Sequence, residues 1–95
     1  MKMNIEALQM AYKHEAEKLS DKLVLYTVAM LADDIGACVV SHERIARAAG
    51  VTRESTTRSL GRLKRAGVLT TERTPRHHGV CQPDTIFLEN FRGAK

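Results

Sequence analysis

Between positions 53 and 65 the chain carries Arg53, Arg58, Arg62, Lys64 and Arg65, with a single acid, Glu54, among them. A guanidinium is a planar fork that can donate two parallel hydrogen bonds to guanine O6 and N7 or to a phosphate, and a carboxylate can accept from cytosine N4. This residue set can recognise a polyanion. It is not equipped to break bonds. Ser55 has no motif pairing it with a histidine, and no glycine stands in the G-x-x-x-x-G-K-[ST] setting that cradles phosphates. We therefore expect no enzyme and no cofactor. His77, His78 and Cys81, with His42 and Cys38 elsewhere, fit no closed four-ligand zinc spacing, so no metal is expected either. Cys38 and Cys81 are too few for a disulfide framework.

The charge is unevenly placed. The net +4 divides into −2 over residues 1–40, +5 over 41–67 and +1 over 68–95. The excess sits on one stretch, which is the electrostatic footprint expected of a nucleic-acid partner.

That stretch, 41–67, reads as two short helices joined by a tight turn. Ser41 is a fitting N-cap for the first, with Ile45, Ala48 and Ala49 as its expected buried face. Gly50 falls where the chain must turn, Thr52 caps the second helix, and Gly67 is the expected glycine beyond its end. At about 100° per residue, Thr56, Ser59, Leu60 and Leu63 share one side of the second helix, and Glu54, Thr57, Arg58, Gly61 and Arg65 share the other. A helix with an apolar stripe and a cationic face can pack on a core while lying in the major groove of duplex DNA. Gly61 in that face predicts that another surface comes close there.

Ile45-Ala46, Gly50-Val51-Thr52-Arg53-Glu54-Ser55-Thr56, Arg58, Leu60, Leu63 and Gly67-Val68-Leu69 resemble the helix-turn-helix pattern in the C-terminal winged domain of Crp/Fnr transcription regulators. They are also similar to the winged helices of small phage and plasmid replication or regulatory proteins. The resemblance implies sequence-specific binding of double-stranded DNA. It assigns base reading to Arg53, Glu54 and Arg58, on a half-site with a G·C-rich core such as GTGA. Thr57 faces base edges beside them. Ser55 stands where the family has threonine and suits a phosphate. Thr56 replaces the family's core valine, which predicts a looser seat for the helix. Crp/Fnr proteins also carry a sensor domain, for which 95 residues leave no room, so effector gating is not expected.

The remaining chain predicts what would hold this unit. Residues 4–19 read as an amphipathic helix with Ile5, Leu8, Tyr12, Ala16 and Leu19 on one face, either closing the core or pairing with its copy in a homodimer. Ser20 is the expected cap of a central buried helix over 21–33, with Leu23, Val24, Tyr26, Thr27, Val28, Met30 and Leu31 apolar on most sides. Residues 37–40 are β-prone. Residues 68–89 form two strands around a Pro- and Gly-containing loop, the wing. Phe91 in the tail is expected to dock on the core.

The expected fold class is α+β, mostly α: one winged helix-turn-helix domain spanning 1–95. Ser41, Thr52, Ser55, Arg62, Lys64, Arg65, Arg73, Arg76, His77 and His78 are the expected phosphate contacts, which position the protein and add salt dependence. No apolar run reaches the length of a membrane span, and the charged N-terminus lacks a signal-peptide core, so a cytoplasmic protein is expected. Three roles fit: a small transcriptional repressor, a phage or plasmid replication or partition accessory, or a protein-interaction module that uses the basic face to inhibit a host factor.

Overall fold

A computed structural model describes residues 4–72 and 85–89. Its elements are helices α1 (Ile5–Lys13) and α2 (Leu19–Leu31), strand β1 (Ala37–Val39), helices α3 (His42–Ala49) and α4 (Arg53–Arg65), and strands β2 (Leu69–Glu72) and β3 (Thr85–Leu88). The three strands form an antiparallel sheet in the order β1-β3-β2, with Cys38 opposite Ile86 and Leu69 opposite Leu88. This is the winged helix-turn-helix architecture that the sequence predicts: helices first, then a hairpin completing a small sheet.

Helix α2 is the hub and packs against α1, α3, α4 and β1. Val24, Leu25 and Val28 are fully buried and join Ile45, Leu60, Leu63, Leu69, Ile86 and Leu88 in one core. A chain of this size supports one modest core, so each of these side chains counts.

The buried face of α2 is narrower than expected. Leu23 and Met30 are exposed, and Tyr26 and Leu31 are half-buried, because neighbours cover α2 on one side only. The helix also begins earlier than predicted. Lys18 occupies the N-cap without a side-chain bond, and Ser20 lies inside the first turn.

Helix α1 corrects the expected pattern more strongly. It stops at Lys13, so Ala16 falls in the following turn and Leu19 opens α2. Its buried residues are Ala7 and Ala11, while Ile5 and Tyr12 point outward. Small residues let the α1 backbone approach α2 closely, and bulky ones at those positions would hold it off. Two polar clamps fix the placement. Asn4 accepts from the Ala7 amide at 3.0 Å and donates to the Asp33 carbonyl at 2.7 Å, tying the start of α1 to the end of α2. Lys22 donates to the carbonyls of Tyr12 and His14, satisfying acceptors that a helix end leaves open.

The turn between α2 and β1 is built by Asp33, whose carboxylate accepts from the amides of Ile35 at 3.0 Å and Ala37 at 2.9 Å. Short aspartate side chains stabilise turns in this way.

Candidate nucleic-acid interface

Both helices of the expected reading unit carry the predicted caps. Ser41 Oγ accepts from the Arg44 amide at 3.1 Å, and Thr52 Oγ1 accepts from the Ser55 amide at 3.0 Å. Between them Gly50 adopts φ +76°, a left-handed conformation that costs a residue with a Cβ about 1–2 kcal/mol. Gly67 closes α4 at φ +78°. On α3 the buried pair is Ile45 and Ala46. Ala48 is exposed and Ala49 half-buried, so the expected face is rotated by about one position.

Helix α4 divides as its sequence predicts. Thr56, Ser59, Leu60 and Leu63 are buried. Arg53, Glu54, Thr57, Arg58, Lys64 and Arg65 are exposed, and Ser55 is half-buried at the edge. Thr56 does not leave a polar defect in the core: its hydroxyl donates to the Thr52 carbonyl at 3.0 Å. Among the described residues no buried side-chain polar atom lacks a partner.

Arg62 differs from the other cations. Its Nε lies 2.8 Å from Asp21 Oδ2, and its Nη2 lies 2.7 Å from Asp21 Oδ1. Asp21 is almost fully buried in the first turn of α2. The bidentate bond from Arg62 holds the Asp21 carboxyl below the usual carboxylate range, against the opposing cost of burial. In return the carboxylate raises the Arg62 pKa. The guanidinium expected on a phosphate is thus engaged inside the protein, joining α4 to α2. Spacing on α4 alone hides this, because the partner lies 41 positions away.

Gly61 has no close neighbour among the described residues. A Cβ there would meet only an Arg65 guanidinium nitrogen, at 4.0 Å. No packing among the described residues requires glycine at this position. Gly61→Ala should stabilise the free protein by about 1 kcal/mol, since glycine is the poorer helix former. A thermal melt without DNA checks this.

His42 was not expected at the interface. Its Nδ1 lies 3.2 Å from Thr57 Oγ1, so the imidazole at the start of α3 orients the hydroxyl on the exposed face of α4. The two are 15 positions apart, and no helical period links them. Arg44 and Arg47 on α3 are also exposed and extend the cationic surface beyond α4.

Arg73, Arg76, His77, His78, Cys81 and Phe91 lie outside the described residues. Cys38 is buried in the sheet, and burial pushes its thiol pKa up to about 11. Among the described residues no three His, Cys, Asp or Glu side chains converge as metal ligands, and no helix is long and apolar enough to cross a membrane.

Residues 16–86 match the family model of the Crp-like helix-turn-helix domain. No curated protein and no solved structure matches the chain. The matched segment runs from the turn before α2 to the middle of β3, and so takes in both capped helices with β1 and β2. The chain therefore belongs to the family of Crp-like helix-turn-helix domains, which bind DNA and regulate transcription.

Proposed function

We propose that residues 1–95 act as a single domain: a small transcriptional repressor that occupies an operator and works as a homodimer. Helix α4 enters the major groove with Arg53, Glu54, Thr57 and Arg58 at base edges. Ser41, Thr52, Ser55, Lys64 and Arg65 hold phosphates, joined by Arg73, Arg76, His77 and His78 of the wing. The hydroxyls of Ser41 and Thr52 accept from backbone amides as caps, and each retains a proton to donate to a phosphate oxygen. Arg62 has no part in this reading, since Asp21 holds it. Repression is the simplest role because blocking a promoter requires only occupancy.

The observation that carries the reading is the two-sidedness of α4. One side seals the core, and the other presents Arg53, Arg58, Lys64 and Arg65 to solvent on a rigid, capped helix. Rigid placement matters, because a bidentate arginine–guanine contact contributes about 1–3 kcal/mol of discrimination only when the fork meets the base squarely.

The deciding experiment selects bound duplexes from random DNA and measures affinity for the selected site at several salt concentrations. We expect one recurring motif and an affinity that falls steeply as salt rises. Arg58→Ala should cost about 1–3 kcal/mol on that site and relax the choice at one base pair. Arg65→Ala should weaken all sequences alike and flatten the salt slope. Recovery of no motif, together with co-purification of an acidic protein, would overturn the proposal.

A further inference from the structure

Threonines inside the helices use their hydroxyls in two ways. Thr27 and Thr56 donate to the carbonyl four residues earlier, at 2.9 and 3.0 Å. Thr57 instead bonds to another helix, through the His42 Nδ1. The two side chains differ in access: Thr57 is exposed, whereas His42 is half-buried at the first position of α3, just after the Ser41 cap. Capped starts on both α3 and α4 keep the ring and the hydroxyl at this spacing.

We infer that His42 is a positioning residue for base choice: it makes Thr57 an acceptor only, so that the base facing Thr57 must present an amino group. The inference rests on the placement of α4 in the major groove proposed above. It adds a residue that selects a base without touching one, and it names the chemical feature selected.

The roles follow from the atoms. A threonine hydroxyl has one proton and two lone pairs, and alone it rotates to donate or accept as its neighbour requires. A neutral imidazole has one bare nitrogen and one N–H. The bare nitrogen is a stronger base than a hydroxyl oxygen, so the hydroxyl proton goes to it, as in the serine–histidine pairs of covalent catalysis. Thr57 therefore donates to His42 Nδ1, and Nε2 carries the ring proton. Oγ1 then offers an outside partner only lone pairs. In the major groove cytosine N4 and adenine N6 donate, whereas guanine O6 and thymine O4 accept. The first two complete a hydrogen bond with Oγ1, and the last two set acceptor against acceptor. The His42–Thr57 bond is exposed, so water can partner Oγ1 in the free protein. A closed groove removes that water and leaves the mismatch uncompensated. Without the imidazole the hydroxyl turns to suit any base, and the choice is lost.

The test uses the full chain and the duplex site recovered by selection, at about pH 8 so that imidazoles are neutral. Each base pair of the site is replaced in turn by the other three, and fluorescence anisotropy gives the affinities. For the wild type we expect one position at which cytosine or adenine binds about tenfold tighter than guanine or thymine. His42→Ala should bring amino and keto bases there within about twofold, with preferences elsewhere and the melting temperature kept. Thr57→Val should remove the preference at the same position, and adding His42→Ala to it should change nothing further. His42→Asn should restore the preference, because its amide oxygen lies near the former Nδ1 and accepts the same proton. A uniform loss over all duplexes in His42→Ala, or a changed preference at a position that Thr57→Val leaves alone, overturns the inference while the proposed function stands. Nitrogen NMR of the free protein, with His42→Asn to assign the ring, gives a check without DNA: a proton on Nδ1 overturns the roles given to the two atoms. If selection recovers no site, the proposed function and the base choice fail together.

Discussion

Leu25→Ala is expected to destabilise the domain by about 2–5 kcal/mol, the range for a leucine truncated in a closed core. Leu25 has no exposed surface and sits on the helix that every other helix touches. Cutting its isobutyl group back to a methyl empties space lined by parts of several elements, and no one of them can move in without losing contacts elsewhere. Domains of this size have total stabilities of about 5–15 kcal/mol, so the change consumes a large share. Urea unfolding followed by helical circular dichroism gives the value. A loss below about 1 kcal/mol would mean that the core relaxes freely around α2. The same substitution should weaken DNA binding only through the folded fraction, leaving sequence preference as it was.

The second large effect concerns Asp21 and Arg62, and the two truncations are not equivalent. Arg62→Ala strands a carboxylate that is 2% exposed, whereas Asp21→Asn frees a guanidinium that can turn toward water. We therefore expect Arg62→Ala to be the more damaging. Asp21→Asn should cost about 1–3 kcal/mol, the range for hydrogen bonds to a charged group. The pair also makes stability depend on acidity. The folded pKa of Asp21 is lowered, so its contribution is full above the unfolded value near about 4 and is lost as pH falls through the folded value. The urea midpoint of the wild type should fall in acid more steeply than that of Asp21→Asn. Parallel curves would show that the pair does not set the acid response. Arg62→Ala should leave the salt slope of DNA binding unchanged, unlike Arg65→Ala.

The parts of this fold that were legible in sequence are those governed by local rules. Ser41, Gly50, Thr52 and Gly67 mark caps and turns through chemistry confined to a few neighbouring residues, and each marks its boundary correctly. The sided α4 was legible because its core positions keep a helical period. What could not be read were pairings made across the fold. Period alone put Ile5 and Tyr12 on a buried face, although small Ala7 and Ala11 are what α2 selects. Arg62 is indistinguishable from Arg58 as a residue type, and only Asp21 separates their roles. Likewise, His42 acquires its place beside the exposed face of α4 from Thr57, a neighbour in space alone.

The strand order has a consequence for how the chain is made. Strand β3 lies between β1 and β2 yet follows both in sequence, and it pairs Ala37 with Phe87. As the polypeptide leaves the ribosome, α2, α3 and α4 can assemble from contacts already synthesised. β1 and β2 must then wait, edges bare, until residues 85–88 emerge. Nascent chains stalled just short of that point would hold a formed DNA reader above an unfinished sheet, a state open to wrong strand partners.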